Sequence, residues 1–401
     1  MNIHTTRLGI TICVILMSAG PIFSQTADAT TDTTAAIATA DDVYVQTSKG
    51  INVYTATAAG KLTLLNGSPF KVTGQLGGVT GSHLISVGTT DLHTYQVESN
   101  GAVGSEIATV DTATYDPEDC GPTTGNRPAL DHTGKYFYVQ LSYGPGGTGC
   151  GVNDWQSYQI GTNGDFTFLG NDYSNDGENF GTTALTIDSS DMYGYSFSQE
   201  IGGNSDFSPF VRLSNGALTY NTNMGEKDPK VDPSLDYYLL PFMATEDPHE
   251  HLAVLMSQCV NNGDEGCEPT GKDSQLASYT ISTSTGSISS SNTEDNIPYL
   301  DIANPIGMDM SYDGKFVAIS GKGFQVFNFN GAAVATKLTG RLLPGIQIDQ
   351  ITWDKLDHLY ALSYEAGKLY VFTVSAHGAT QVEAIGVSGG YGNVGIVVVP
   401  K

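Results

Sequence analysis

The sequence predicts an all-β fold: a seven-bladed β-propeller with four-stranded antiparallel blades, its ring closed by pairing of the N- and C-terminal strands. Three observations predict it. A polar turn opening into a strand recurs five times, and an aromatic-rich strand followed by a Gly turn and a second strand recurs seven times. Charged residues make up only 15% of the 401 residues, against 48 glycines, too few Glu and Lys to face long amphipathic helices.

The chain begins with a short segment carrying Arg7, an apolar run from Leu8 to about Met17, and then small and polar residues. The run is short for a bilayer span and has the order of a signal peptide, expected over residues 1–25, with a flexible leader over 26–40 and the propeller over 41–401. Cleavage after Gln25 or within Ala27–Ala29 is equally compatible. Export to a periplasm or the extracellular space is therefore expected, without a membrane anchor. Losing Met1–Gln25 removes one basic residue and no acidic one, so the formal charge of −25 becomes −26. That sign argues against nucleic-acid partners and anionic membrane surfaces.

The first phrase reads "DHTGKYFYV" at Asp131, "IDSSDMYGYSF" at Ile187, "EDPHEHLAVLM" at Glu246, "YDGKFVAIS" at Tyr312 and "WDKLDHLYALS" at Trp353. The second reads "VYTATAAGKL" at Val53, "TYQVESNGAV" at Thr94, "SYQIGTNGDF" at Ser157, "PFVRLSNGAL" at Pro209, "SYTISTSTGSI" at Ser278, "VFNFNGAAV" at Val326 and "VFTVSAHGAT" at Val371. Gly at the hairpin tip supplies the positive φ that tight turns need. Joined, the phrases give an inner strand, an Asp turn, a second strand, a variable loop, a third strand, a Gly turn and an outer strand, repeated around a ring. The solitary apolar tail "GNVGIVVVP", Gly392–Pro400, lacks a hairpin partner and is expected to join "DVYVQT" from Asp42. That latch removes an open sheet edge, so a monomer is expected.

In this layout the Asp and Gly turns share one face. The long insertions, at 111–127, 142–155, 171–182 and 257–275, fall on the other, where loops on a rigid scaffold would carry function. Cys120, Cys150, Cys259 and Cys267 lie in these loops; an exported chain with four such cysteines is expected to form Cys120–Cys150 and Cys259–Cys267 disulfides. No close CxxC pair suggests zinc. "DYSNDG" at Asp172 begins like a calcium loop, but its twelfth position is Thr183, so a solvated loop is the better reading. "EDPHEHL" at Glu246 lacks HExxH spacing and reads as turn chemistry. With no GxSxG elbow, P-loop or dinucleotide fingerprint, neither a cofactor nor a metal is expected. Arg127 sits where the inner strand of blade 3 should start; there a guanidinium could clamp a carboxylate or lactone oxygen, or simply pair with a loop acid. Equivalent starts near Thr182, Asn304 and Asp349 complete a ring of candidates.

The phrases "LDHTGKYFYV", "MSYDGKFVAIS", "LASYTISTSTGSI" and "VYVQTSKGINVYTATAAGKL" resemble those of the lactonase-like seven-bladed propellers related to 6-phosphogluconolactonase, over nearly all of the chain after the leader. The resemblance implies hydrolysis of a sugar or related lactone. Arg127 would then serve as clamp and Asp349 as base, with Tyr143, Trp155 and Asn304 contacting a small-molecule or carbohydrate ligand. Scarce cations speak against a phosphorylated substrate. The alternative is a non-catalytic propeller that binds a glycan, peptide or surface partner through its aromatic loops.

Overall fold

A computed structural model describes residues 39–115, 123–124, 128–142, 154–173, 182–199, 205–234, 237–260, 274–388 and 395–401. These form seven sheets of four or five strands, antiparallel except where Glu226–Lys227 runs parallel to Ile288–Ser289 at the outer edge of blade 5. The innermost strands are Ile396–Pro400 for blade 1, then Gln75–Thr80, Ala129–Leu130, Thr182–Ile187, Tyr237–Glu246, Ala303–Met310 and Gln350–Trp353 for blades 2 to 7. The ring closes as expected. Ile396–Pro400 pairs antiparallel with Thr39–Thr47, from Val45↔Ile396 to Asp41↔Pro400, so the C-terminus supplies the inner strand of the blade whose other three strands are N-terminal.

The expected signal peptide and most of the expected leader lie outside the described residues. In blade 6 the second and third strands share one run, Phe316–Asn328, folded back on itself with the Phe329 N–H bonded to the Lys315 carbonyl at 2.7 Å. The repeat pattern calls for a loop between these strands; the Gly321–Lys322–Gly323 tip suffices in its place.

Middle strands are buried on both sides, as in His83–Val87 and His358–Ser363, because each blade packs between two neighbours. The core is accordingly divided. Seven apolar clusters lie one at each blade–blade joint, for example Tyr195, Phe197, Val254 and Tyr279 between blades 4 and 5.

The two recurring phrases meet at these joints. In the Asp turn, a buried carboxylate accepts backbone N–H groups that the turn would otherwise strand. Asp131 Oδ1 takes those of Lys135 and Tyr136 at 2.8 and 2.9 Å, and Asp188 Oδ1 those of Met192 and Tyr193 at 2.8 and 2.6 Å. Asp247 and Asp354 do the same in blades 5 and 7, and Ser311 Oγ substitutes in blade 6. The strand leaving the turn then presents its first side chain to the Gly turn of the next blade. Tyr136 lies against Gly216, Tyr193 against Gly286, His251 against Gly331 and His358 against Gly60. Two residues on, Tyr138 and Tyr195 donate their hydroxyls to the carbonyls of Gly216 and Gly286 at 3.0 and 2.9 Å.

Candidate functional site

A cavity of about 710 Å³ is lined by the inner strands of blades 3 to 7 and by Ile396 of the closing strand. Its wall mixes apolar side chains, among them Leu130, Leu185, Ile187, Met308, Met310, Ile351 and Trp353, with polar ones, and among the described residues it carries four ionisable groups besides Tyr312: His132, Glu246, Asp309 and Asp349. Their positions follow from the repeat. Superimposing the Asp turns aligns Ala129-Leu130-Asp131-His132, Thr186-Ile187-Asp188-Ser189, Thr245-Glu246-Asp247-Pro248, Asp309-Met310-Ser311-Tyr312 and Thr352-Trp353-Asp354-Lys355. Glu246 stands where the other blades have Leu, Ile, Met or Trp, and Asp309 where three of them have Thr. A buried carboxyl in place of an apolar or neutral residue costs stability unless it is paired, so both departures call for a reason.

Glu246 finds its partner across the ring. His132 of blade 3 bonds Glu246 Oε1 through Nε2 at 2.5 Å and Asp191 Oδ1 of blade 4 through Nδ1 at 2.9 Å. The carboxylates are buried, with 11% and 7% of their side chains exposed, whereas 48% of the His132 side chain is open. The bond to Glu246, together with its charge and that of Asp191, outweighs burial and raises the His132 pKa to about 9. His132 is therefore an imidazolium at neutral pH, the only cationic side chain among the described residues of the wall. Burial raises Glu246 to about 7, opposed by His132.

Asp309 bridges blades 6 and 7, accepting bonds from the Met310 and Trp353 N–H groups and the Thr352 hydroxyl; burial nonetheless raises its pKa to about 7. Thr186 makes a corresponding link, donating to the Ala244 carbonyl at 2.9 Å. Asp309 thus links neighbouring inner strands as Thr186 does, but as acceptor rather than donor, and adds a titratable group near neutral pH. Asp349 is half-buried, accepts the Tyr364 N–H at 2.6 Å, and is also raised by burial.

Of the residues singled out in the sequence, Asp349 reaches the cavity. Trp155 does not belong to a loop surface: it lies in the strand Asp154–Ile160, fully buried with Tyr138, Leu185 and Phe210, because an indole gains more in a blade joint than in water. Asn304 is exposed at the start of its strand, at φ 52°, and is not among the residues lining the cavity. Arg127, Tyr143, Cys120, Cys150 and Cys267 lie outside the described residues, as does the side chain of Cys259, so neither disulfide is described. Asp172, read as part of a solvated loop, instead ties blade 3 to blade 4 by accepting the Thr219 hydroxyl at 2.6 Å and the Tyr220 N–H at 3.0 Å. His132, Asp191, Glu246 and Asp309 were missed. The aligned turn phrases carried the signal for the two wall acids, and nothing local revealed that His132 and Glu246 would meet.

These carboxyls make stability fall as pH rises. Asp41, 2% exposed in the joint between blades 7 and 1, is raised to about 6 by burial and then by Asp354. In the unfolded chain Asp41, Glu246 and Asp309 lose their protons near pH 4, while in the folded chain they hold them to about 6 or 7. Between those limits the native state binds more protons, and stability drops with rising pH. His132 acts in the same direction: its contribution is complete below its unfolded pKa near 6.5 and is lost as pH passes about 9. The melting temperature should be higher at pH 5 than at pH 8, by on the order of 5 °C; an unchanged or higher value at pH 8 would contradict these assignments.

No protein-family model matches the sequence, and no curated protein matches it. Solved structures do match. A Bacteroides fragilis protein provisionally designated a 6-phosphogluconolactonase superimposes with a TM-score of 0.62 at 15% identity, covering 91% of this chain and 99% of that one. The periplasmic gluconolactonase PpgL of Pseudomonas aeruginosa gives 0.60 at 11% identity, covering 90% and 99%. A protein from Lactobacillus plantarum gives 0.60 at 13% identity, also covering 90% and 99%. At these identities it is the fold that is shared: the chain is a seven-bladed β-propeller with the architecture of the lactonase-like propellers.

Proposed function

We propose that the chain is a hydrolase of uncharged lactones and that the reaction takes place in the central cavity. The observation that carries this reading is the convergence of one imidazolium and two carboxyls of raised pKa, Asp309 and Asp349, on a single cavity. Asp309 is assigned the base because its pKa of about 7 suits proton abstraction near neutrality. It takes a proton from water as the water oxygen bonds to the acyl carbon. The developing oxyanion is stabilised by the His132 charge. The bond from the acyl carbon to the ring oxygen then breaks, and that oxygen receives the proton, releasing the hydroxy acid. With carboxyls outnumbering the described cation, a phosphorylated lactone is disfavoured. The apolar run Leu8–Met17 supports action after export.

Proton release on a panel of sugar and aliphatic lactones tests the reading. Asp309→Asn should lower kcat roughly 100-fold or more while the protein remains folded. Pro128 lines the cavity, so Arg127→Ala additionally tests whether a guanidinium shares the role of His132. A wild-type rate no faster than the uncatalysed one on every lactone would sink the hydrolase, and binding of glycans or peptides would be measured instead.

A further inference from the structure

The Asp turns reverse through one residue of left-handed backbone. In blades 3 and 6 it is Gly134 and Gly314, at φ 67° and 73°; in blades 4, 5 and 7 it is Asp191, Glu250 and Asp357, at 57°, 63° and 60°. A side chain in that conformation is strained relative to glycine, somewhat less so for Asp. The turn does not require an acid there, since glycine serves in two blades. What the acid adds must therefore lie beyond its own backbone.

For Asp191 the addition is specific. Its Oδ1 accepts the backbone N–H of His132 at 3.0 Å and the ring Nδ1–H at 2.9 Å, both from the preceding blade. Two bonds from one residue to one oxygen fix the imidazole relative to its own main chain. The ring is then held with Nε2–H toward Glu246 and almost half its side chain open to the cavity. Glu250 also reaches back, to Ser189 of the blade before it, so part of the pattern is a tie between successive turns. Only at Asp191 does the tie end on a residue that links three blades.

We propose that Asp191 is a positioning residue: its carboxylate orients His132 toward Glu246 and holds the ring as the cation that faces the cavity. The catalytic consequence rests on the hydrolase reading; the orientation of His132 does not. Other charges surround the pair. Asp188 and Asp247 act on Glu246, Glu250 lies in the same cluster, and Asp131 is neutralised by Arg212 at 3.1 Å.

The test compares Asp191→Gly with Asp191→Asn in the full chain. Glycine is the residue blades 3 and 6 use at this position and relieves backbone strain, but a weaker His132 cation costs stability below pH 9, so the melting temperature should change little and the ring titration is the deciding readout. NMR titration of the His132 ring should show its midpoint, about 9 in the wild type, fall by about one pH unit or more in Asp191→Gly. Asn keeps an acceptor for Nδ1–H but not the charge, so its midpoint should fall while ring orientation, read from the Nδ1 and Nε2 shifts, is retained. If lactones are hydrolysed, kcat should drop about tenfold in Asp191→Gly, KM should change little, and Asn should recover part of the loss. A His132 midpoint unmoved in both variants overturns the proposal, as does a loss of melting temperature with the midpoint unmoved. The titration needs no turnover, so failure of the hydrolase reading would be seen separately, as inactivity of the wild type.

Discussion

A chain ending at Gly395 should fail to form the ring, eluting as an expanded or aggregated species without a sharp thermal transition. The six residues removed supply the whole inner strand of blade 1. Ile396 and Val398, 4% and 8% exposed, pack with Val43, Val45, Leu362 and Val387. Burying two such side chains contributes roughly 3–6 kcal/mol, at about 1.5–3 each. The register from Asp41↔Pro400 to Val45↔Ile396 adds backbone hydrogen bonds worth about 1 kcal/mol apiece net. Lys401 also neutralises the buried Asp42 at 2.8 Å, which truncation leaves unpaired. Against a net stability of roughly 5–15 kcal/mol, the loss is comparable to the whole. The cavity would lose Ile396 from its wall as well. Gel filtration and calorimetry decide the matter, and a truncated monomer melting at the full-length temperature would show that ring closure contributes little.

Why the architecture was legible and the site was not follows from the range of the interactions involved. The Asp turn is local: Asp131 satisfies N–H groups four and five residues along the chain, so its chemistry leaves a short, repeatable phrase. The Gly turn is equally compact. The closing strand was readable because "IVVV" is apolar and had no hairpin partner. By contrast, the link between His132 and Glu246 spans 114 positions and joins blades that are not neighbours in the ring, so no spacing rule could present it. Glu246 was hidden by its neighbour: Asp247 is a turn residue, and reading "EDPHEH" as turn chemistry was right for Asp247 and incomplete for Glu246. Asp309 was hidden in another way, since it links neighbouring strands as Thr186 does, though as an acceptor where Thr186 donates. Asp349 was reachable because strand starts around a propeller channel can be counted from the repeat alone. Trp155 was misassigned because the insertion before it gives no sign of where the strand resumes.

Gly216→Ala should cost about 2–5 kcal/mol, a loss out of proportion to one methyl group. Part is backbone: Gly216 has φ 96°, where an alanine pays about 1–2 kcal/mol. The rest is steric. A Cβ there would lie 2.0 Å from Tyr136 Cε1 and 2.3 Å from Cδ1, and overpacking of this kind costs about 1–3 kcal/mol. Tyr136 cannot simply swing aside. The Arg212 guanidinium lies 5.1 Å from the centre of its ring and is itself bonded to Asp131 at 3.1 Å, the carboxylate that organises the turn. On the other side, the Gly216 carbonyl accepts the Tyr138 hydroxyl at 3.0 Å, so moving the glycine breaks that bond. Strain at the Gly turn of blade 4 therefore passes into the Asp turn of blade 3, one residue from His132. Gly378 supplies the control: it holds φ 123° and an added methyl would meet nothing within 4 Å, so Gly378→Ala should cost only the backbone part, about 1–2 kcal/mol. Denaturant unfolding of the two variants measures the difference directly. Shortening the obstructing ring in the Gly216→Ala/Tyr136→Ala double variant should make the pair more stable than the sum of the single losses by at least about 1 kcal/mol. Equal losses at Gly216 and Gly378, with no coupling to Tyr136, would mean that the glycines are kept for their backbone alone and that the two repeated phrases do not depend on each other.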